Sequence, residues 1–423
     1  METYASVLNY AIPGFILLIA IEWLAGLAMG TQTIRSMDTI ASLSSGLTNI
    51  IKDVLGLTVI VVGYSWLVSK VALFEIEATW IAFGLAFVGK DFAGYWQHRL
   101  SHRINIFWNE HIIHHSSEEF NLACALRQSI STIVSAWAIL YLPLALIGVP
   151  AKVIAIAAPI HLFAQFWYHT RLIGRMGFLE AIIVTPSHHR VHHAMNPEYL
   201  DRNFAQIFII WDKLFGTFQK ELPEVPPVYG IKRPARTWNP FLIGFQHLWL
   251  LVKDAWRTRS WWDKLRIWFM PTGWRPADVA AKYPVSTLND VTTLEKYNPK
   301  ASLPLLLWAW SHLILTLGLV LFLFNHLGQM TYPEILWYAG FLFVWIFSYT
   351  TLMDRSRFAW IPSLLASGFG AVLFWKMEGW FGIGEVFGWG NALVLGYLGF
   401  SLVAAFAFSF FDFRQDMRQM ASA

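Results

Sequence analysis

Eleven of the fourteen histidines lie between positions 98 and 193, and nine of those eleven form three regularly spaced groups. The groups are HxxxH at His98 and His102, HxxHH at His111–His115, and HHxxHH at His188–His193. On a helix, residues three and four positions apart share one face, so each group presents its imidazoles together. Neutral imidazole is a good ligand for iron and zinc. The spacing therefore predicts a metal site.

We predict nine ligands, because His169, at the end of an apolar segment, joins eight histidines of the three groups. The nine predicted ligands are His98, His102, His111, His114, His115, His169, His189, His192 and His193. One ion cannot use nine nitrogens, so we predict two ions with four or five each. The chain has no paired ExxH pattern of the carboxylate-rich di-iron bundles. An all-histidine pair favours iron that activates O2 over zinc, which more often uses three histidines and a water.

The remaining histidines have other interpretations. His161 and His188 are expected to be hydrogen-bond partners of ligands rather than ligands. His247, His312 and His326 lie outside the pattern and are interpreted as packed or interfacial residues. A pH sensor or a set of snorkelling side chains is the alternative for the clusters as a whole. Burying so many unpaired imidazoles near a bilayer would cost too much desolvation, which favours metal.

The composition indicates that a membrane surrounds the elements that must position these histidines. The 423 residues are 56% hydrophobic and 14% charged, with a mean hydropathy of +0.46. Soluble domains carry about 25% charged residues. Cys124 is the only cysteine, so neither an internal disulfide nor a thiolate metal cluster can form.

The predicted fold is all-α: a polytopic transmembrane helical bundle with a cytosolic helical cap that carries the two-metal site. An apolar stretch of about 20 residues crosses a bilayer. We predict nine spans, at roughly Val7–Gly30, Thr48–Ser69, Ile76–Trp96, Ile130–Gly148, Val153–Tyr168, Leu303–Phe324, Pro333–Tyr349, Trp360–Trp375 and Val386–Phe411. The fourth and fifth are short and flank Pro143 and Pro150, so a hairpin that does not fully cross is their alternative.

The distribution of charge predicts which side of the membrane the cap faces. Residues 169–301 contain 18 Lys and Arg against 11 Asp and Glu, a net charge of 18 − 11 = +7. By the positive-inside rule this side faces the cytoplasm. The formal charge of +4 is interpreted as basic residues facing anionic lipid, so no nucleic-acid partner is expected. The segment Trp238–Phe269 is expected to lie along the headgroups as amphipathic helices.

The region around the histidines resembles the fatty acid hydroxylase / sterol desaturase superfamily of membrane di-iron enzymes, and most closely its alkylglycerol monooxygenase branch. The resemblance covers residues 85–220. The stretches that carry it are DFAGYWQHRLSH (Asp91–His102), HIIHHSSEEFNLACALRQS (His111–Ser129), QFWYHT (Gln165–Thr170), TPSHHRVHH (Thr185–His193) and IIWDKLFGTF (Ile209–Phe218). The predicted division is residues 1–84 as N-terminal membrane helices, 85–220 as the di-iron region, 221–302 as a cytosolic or interfacial segment, and 303–423 as C-terminal membrane helices.

The resemblance implies a function. The nine histidines would hold two irons, and O2 would hydroxylate the carbon next to the ether oxygen of an alkylglycerol. The hemiacetal would then collapse to an aldehyde and glycerol. Tetrahydrobiopterin or a redox protein would supply the electrons. The alternative reactions are sterol oxidation or desaturation and acyl-chain hydroxylation on the same centre, and a metal transporter or sensor is the non-enzymatic alternative. The oligomeric state is left open.

Six further residues in this region are candidates for the site. Glu118, Glu119 and Asn121 follow the second histidine group, and Asp91 is an acid within an apolar span. These four are expected to support the metal ligands, with a solvated loop as the alternative for the first three. Arg127 and Gln128 are expected to hold a lipid headgroup or a pterin, with snorkelling to the interface as the alternative.

Overall fold

A computed structural model describes residues 2–412 of the chain, and side chains for residues 6–411. Nearly all of its regular structure is helical, which confirms the predicted fold class. One short parallel pair of strands places Val59 opposite Val134. The N-terminal elements are α1 (Glu2–Ala28), α2 (Ser36–Val54), β1 (Val59–Ile60) and α3 (Tyr64–Val71).

The elements of the histidine-rich region follow. They are α4 (Trp80–Arg103), α5 (Asn105–His115), β2 (Val134–Ser135), α6 (Leu142–Leu146), α7 (Ala151–Phe163), α8 (Pro186–His193) and α9 (Ile210–Leu214). The Thr79 hydroxyl caps the start of α4 by accepting from the amide of Ala82. Ile104 is extended and separates α4 from α5, so the first two histidine groups lie on consecutive helices that fold back on each other.

A segment of three helices and a second bundle follow. The segment contains α10 (Pro240–Arg257), α11 (Trp261–Arg266) and α12 (Ala277–Lys282). The bundle contains α13 (Leu303–His326), α14 (Tyr332–Met353), α15 (Trp360–Lys376), α16 (Ile383–Val386) and α17 (Gly390–Ala407). The predicted C-terminal region extends to residue 423, and its last eleven positions lie outside the described residues.

Four helices among residues 2–412 are long and apolar enough to cross a membrane, where the sequence predicted nine spans. They are Ser6–Ala28, Leu303–Gln329, Tyr332–Met353 and Gly390–Phe411. Together with the family relationship reported below, they make the chain an integral membrane protein.

Three of the other predicted spans are not long single helices. Thr48–Ser69 is wrong as one helix, because α2 ends at Val54 and a strand precedes α3. Ile130–Gly148 is not a single helix either, because it contains β2, a short 3-10 helix and the five residues of α6, and the hairpin alternative stays a prediction. Apolar composition predicted both as spans, but Gly56, at a positive φ of 63°, follows the end of α2, and Gly63 and Pro143 lie at the starts of α3 and α6. Val153–Tyr168 corresponds to α7, which has 13 residues.

Helix α2 links the second bundle to the histidine region. Almost all of its side chains are buried, including four serines and threonines of its first half. The hydroxyl of Ser44 is 2.6 Å from the hydroxyl of Tyr349 in α14. The hydroxyl of Ser45 donates to the carbonyl of Gln128, 2.7 Å away, in the loop after the second histidine group. Polar contacts inside an apolar bundle fix the position of α2 because an unpaired hydroxyl there would be costly.

Helices α10 and α11 present an aromatic surface. Asn239 caps α10 by accepting from the amides of Phe241 and Leu242. Four of their tryptophans are 60–84% exposed: Trp249, Trp256, Trp261 and Trp262. Exposed indoles favour the membrane–water boundary. The prediction that this segment lies along the headgroups agrees with this surface and stays a prediction.

Candidate metal centre

The structure brings all nine predicted ligands together, in two groups. The first group contains His98, His102, His111, His115 and His192, and the second contains His114, His169, His189 and His193. Within each group, one nitrogen from every ring lies within 4.8 Å of the others. Each group combines histidines that are far apart in the sequence. The first group depends on the packing of α4, α5 and α8, and the second on α5, α8 and the segment after α7 that carries His169.

The ring nitrogens face one another at short distances. In the first group, His98 Nε2 is 3.0 Å from His111 Nε2, and His102 Nε2 is 3.1 Å from His115 Nε2. In the second group, His189 Nε2 is 2.8 Å from His169 Nε2. Two nitrogens bound at right angles to one metal at about 2.1 Å lie roughly 3.0 Å apart, so this spacing suits ligands of a shared ion.

The opposite ring nitrogens identify the tautomers. The Nδ1 atoms of His98 and His192 lie 2.8 and 2.9 Å from the carbonyl oxygens of Phe204 and Arg202. Those of His114 and His169 lie 3.2 and 3.1 Å from the carbonyl oxygens of Arg127 and Gln165. A carbonyl only accepts, so each of these Nδ1 atoms carries the proton and each Nε2 carries a lone pair. His189 differs, because its Nδ1 is buried with no hydrogen-bond partner in the described part of the chain.

The tautomers of these four rings leave their Nε2 atoms without a proton to donate to a neighbouring ring. His114 Nε2 and His169 Nε2 are 3.4 Å apart, and both are acceptors. Lone pairs that face each other in a buried site repel unless a cation lies between them. The donor set therefore fits metal ions, and the nitrogens that face inward are the ones that ligate.

Burial keeps these rings neutral. Desolvation lowers the pKa of His98 and of His114 to about 4. Desolvation, with the neighbouring imidazoles as a second cause, also lowers the pKa of His111 and His193 well below the usual value. At neutral pH a metal ion would not have to displace protons from these rings.

Two buried carboxylates hold the backbone segment against which His98 and His192 are anchored. Asp212 accepts from the amides of Phe204 and Ala205, both at 2.8 Å. Asp91 accepts from the amides of Ile207 and Phe208, and its Oδ1 lies 2.8 Å from His161 Nε2. Asp91 therefore acts on the segment that supports the rings and does not contact the nine rings.

The sequence analysis did not single out Asp212, although its segment carries part of the family resemblance. Asp212 is fully buried, and it also accepts from the hydroxyl of Thr217 at 2.7 Å. An acid inside an otherwise aromatic run was the available signal. His188, as predicted, is absent from both ligand groups. The backbone carbonyl of His188 accepts from the side-chain amide of Asn203 at 3.0 Å.

Comparison with known proteins identifies the family to which the chain belongs. The alkylglycerol monooxygenase of Xenopus tropicalis is 35% identical over 344 residues, which cover 81% of this chain and 76% of that protein. The chain belongs to the alkylglycerol monooxygenase family. The Danio rerio member is 36% identical over 79% of this chain and 74% of its own length, and the Homo sapiens member is 38% identical over 65% and 62%.

The family model of the fatty acid hydroxylases matches residues 83–217, the stretch that contains all nine histidines. No solved structure matches the chain. These findings confirm the resemblance predicted from the motifs. This member of the alkylglycerol monooxygenase family is an oxygen-dependent monooxygenase, and its two histidine groups are compatible with iron.

The three polar residues after the second histidine group support a loop in this family member. Glu119 is buried and pairs with Arg35 at 3.1 Å and Lys296 at 2.6 Å. The Tyr297 amide donates to Glu118. The side chain of Asn121 donates to the carbonyl of Thr33 at 2.7 Å. All three therefore brace the loop against other segments, which differs from the predicted contact with the imidazoles.

The loop reaches the rings through an aromatic residue instead. Phe120 is fully buried, with its ring centroid 5.3 Å from that of His193 and 5.8 Å from that of His169. It also stacks on Tyr229 at 5.0 Å. Sequence reasoning did not single out Phe120, because an aromatic residue beside acids carries no ligand chemistry of its own.

The guanidinium of Arg127 is engaged inside the protein. It donates to Asp38 at 2.7 Å, to Ser42 at 2.9 Å and to Ser116 at 2.8 Å, and the side chain is 2% exposed. Its contribution to the centre is the carbonyl that anchors His114. Gln128, in contrast, is exposed and its side chain lines a cavity.

Two cavities reach the centre from different sides. The first, which we name the Gln128 cavity, consists of two adjoining volumes of about 290 and 420 Å³ that share Gln97, Ser101, Glu110, His111, Gln128 and Ser129. The second, the Trp108 cavity, has a volume of about 440 Å³ and contains Trp108, Ile112 and Leu250. The volumes of both cavities lie in the range of small-molecule sites.

The two cavities divide the nine rings without overlap. The Gln128 cavity is lined by His98, His111, His114, His169 and His189. The Trp108 cavity is lined by His102, His115, His192 and His193. Each cavity therefore contacts rings of both ligand groups, and two different molecules can approach the same centre.

Proposed function

We propose that this protein is a membrane monooxygenase with two irons that cleaves the ether bond of alkylglycerols. The observation that carries the proposal is the convergence of nine neutral imidazoles, in groups of five and four, with ring nitrogens as close as 2.8–3.0 Å. Iron bound there would activate O2 for insertion into a C–H bond. Hydroxylation of the carbon next to the ether oxygen gives a hemiacetal, which splits into an aldehyde and glycerol.

The Gln128 cavity is the proposed lipid site, because exposed apolar residues lie among its mostly polar lining. Ile60 and Leu162 line it and are 67% and 61% exposed. Val61 and Ile133, near the opening in sequence, are 62% and 50% exposed. Exposed apolar side chains in a membrane protein face lipid, so an alkyl chain can remain in the bilayer while the headgroup enters.

Polar side chains inside this cavity suit the hydroxyls of glycerol. Gln97 and Ser101 lie one turn apart on α4, and Glu110 immediately precedes His111 on α5. One oxygen of Glu110 accepts from the indole of Trp137 at 3.1 Å, and burial raises its pKa. A carboxylate that accepts from a diol fixes an uncharged headgroup and repels a phosphate.

The wider arrangement is part of the same proposal. The four-part division of the chain predicted from the sequence is retained, with the histidine region as a cap on the cytoplasmic face of a bacterial inner membrane or the endoplasmic reticulum. A monooxygenase needs two external electrons, and reduced pterin or a redox protein would supply them. Sterol oxidation or acyl-chain hydroxylation on the same centre is the alternative reaction.

The direct test is a lipid panel. Membranes that contain the protein are expected to release a fatty aldehyde from an alkylglycerol when O2 and tetrahydrobiopterin are present. The measurement is aldehyde by mass spectrometry, with a sterol and a free fatty acid in parallel reactions. Intact alkylglycerol beside a hydroxylated sterol or acyl chain would replace the ether substrate with the alternative one.

Glu110→Gln tests the headgroup contact. We expect KM for alkylglycerol to rise about tenfold or more, because a hydrogen bond to a charged group contributes roughly 1.5–3 kcal/mol. An alkylglycerol with both hydroxyls methylated should show similar KM values for the variant and the wild type. The control is Glu77→Gln, at an exposed position outside both cavities. Equal KM values for alkylglycerol in Glu110→Gln and wild type would remove Glu110 from the headgroup site.

A further inference from the structure

Glu22 is the only charged residue of the apolar span Ser6–Ala28 in α1. Most side chains of this span are exposed or half-buried, whereas Glu22 is 5% exposed. A carboxyl group inside an apolar span is costly, and such a group usually has a partner and a function. The histidine pattern gave no reason to consider Glu22, because α1 lies far from the histidine groups in the sequence.

Both oxygens of the Glu22 carboxylate accept hydrogen bonds from the histidine-rich region. Oε1 accepts from the hydroxyl of Thr170 at 2.6 Å, and Oε2 accepts from the backbone amide of Leu122 at 2.8 Å. Thr170 and Leu122 are 4% and 9% exposed, so water has little access to these contacts. One side chain of α1 therefore joins the segment after α7 to the loop after α5.

Both segments contact the same ligand group, the group of four rings. Thr170 directly follows His169, which belongs to that group. Leu122 lies two residues after Phe120, whose ring centroid is 5.3 Å from that of His193. The ring of Phe120 also stacks on that of His169 at 5.8 Å. The two hydrogen bonds of Glu22 thus lead to one of the two ligand groups.

Other contacts bring α1 and the loop that follows it to the same two segments. The side chain of Asn121 donates to the carbonyl of Thr33 at 2.7 Å. The ring centroids of Phe15 in α1 and Phe166 are 4.6 Å apart. These contacts use a backbone carbonyl or apolar surface, so Glu22 is the side chain through which the link can be tested.

The group of five rings has a buried carboxylate of its own. Asp212 accepts from the amides of Phe204 and Ala205, and the carbonyl of Phe204 anchors His98. Glu22 and Asp212 therefore support different ligand groups. Loss of one carboxylate should weaken the binding of one ion and leave the other ion in place.

We propose that Glu22 is a positioning residue for the ion held by the group of four rings. Its two hydrogen bonds fix the segment of His169 relative to the loop of Phe120, so that the His169 ring stays directed toward the other rings of its group. A helix within the membrane thereby takes part in the metal centre. This inference rests on the proposed function, because it assumes that a metal ion occupies each group.

The test measures the release of Fe(II) from the loaded protein to the chelator ferrozine, in detergent under argon, with Tm as the measure of folding. Glu22→Leu removes both hydrogen bonds, and a leucine suits an apolar span. Glu22→Gln can still accept from the Leu122 amide and can donate to the Thr170 hydroxyl, so it is the conservative variant. Ile21→Ala, at an adjacent position that is 50% exposed, is the matched control.

We expect Glu22→Leu to release one of its two ions about tenfold faster than the wild type, at the lower end of the effect of losing a residue that supports a ligand. The other ion should leave at the wild-type rate. Release from Glu22→Gln and Ile21→Ala should stay within about twofold of the wild type. Thr170→Val, which removes only one contact, should accelerate the same ion by about threefold or more.

Two double variants assign the effect to a ligand group. Addition of Thr170→Val to Glu22→Leu should leave the release of iron nearly unchanged, because both substitutions break the same contact. Addition of Asp212→Asn to Glu22→Leu should accelerate the release of the other ion as well, because distant sites act independently.

Release of both ions at wild-type rates from Glu22→Leu or Thr170→Val would overturn the inference, as would equal acceleration of both ions in Glu22→Leu. A Glu22→Gln protein that behaves like Glu22→Leu would contradict the role of the two hydrogen bonds. Failure of the proposed function has a different signature. The wild type would then bind two ions that respond to Glu22→Leu as expected, but it would release no aldehyde from an alkylglycerol.

Discussion

His114→Ala is expected to remove bound iron and monooxygenase activity together. His114 belongs to the group of four rings, so its loss leaves three nitrogens for that ion. The His114 ring lies between the carbonyl of Arg127 and Nε2 of His169. A water molecule in place of this ring would not be held with a lone pair directed at the ion. Mutation of a residue that only hydrogen-bonds to a ligand costs about 10–100-fold in metal affinity or activity. Removal of the ligand itself should therefore cost more than about a hundredfold.

The measurements are metal content by mass spectrometry of the purified protein and aldehyde release from the same preparation. His326→Ala is the control, because His326 lies in α13, outside both ligand groups, with its ring against the carbonyl of Phe322. The wild type and the control should each carry close to two ions per chain. A His114→Ala protein that keeps full activity without metal would contradict the metal site itself.

Arg127→Met is expected to destabilise the folded protein by about 3–5 kcal/mol, because it leaves the carboxylate of Asp38 buried without its partner. The two side chains are each 3% exposed and are 2.7 Å apart. The backbone carbonyl of Arg127 also anchors His114, so a disturbed loop should reduce iron content as well. Loss of one buried ionic contact would thus affect both the fold and the metal centre.

The matched variants are Gln128→Ala and the double variant Asp38→Asn/Arg127→Met. Thermal unfolding in detergent should show a lower Tm for Arg127→Met and little change for Gln128→Ala, whose side chain is exposed. The double variant should recover part of the loss, because it removes the unpaired charge. An unchanged Tm in the single variant would mean that the Asp38–Arg127 pair is not required for stability.

The sequence alone was sufficient to predict which histidines meet, and in what kind of protein. Spacings of three and four residues place imidazoles on one helical face regardless of the rest of the fold, and the structure brings the same nine rings together. Composition was equally informative about the membrane, because the cost of exposing apolar surface to water depends on the side chains themselves. The assignment of the nine histidines as iron ligands stays a prediction, which the His114→Ala measurement tests.

Contacts between distant segments were decided only by the tertiary structure. The sequence singled out Asp91, Arg127 and Glu119, but their partners at Phe208, Asp38 and Arg35 are far from them in the chain. No local periodicity encodes such pairs, because they depend on how whole helices pack. The same reason explains why the spans at Thr48–Ser69 and Ile130–Gly148 failed.

The division of nine rings between two cavities is likewise a property of the packed chain. His111 and His115 share one face of α5, yet His111 lines the Gln128 cavity and His115 lines the Trp108 cavity. Helical spacing directs both side chains toward the metal centre, but only the elements packed on either side determine which molecule can reach each ring. Residue types thus determined that the histidines converge, and the fold determined which cavity each ring lines.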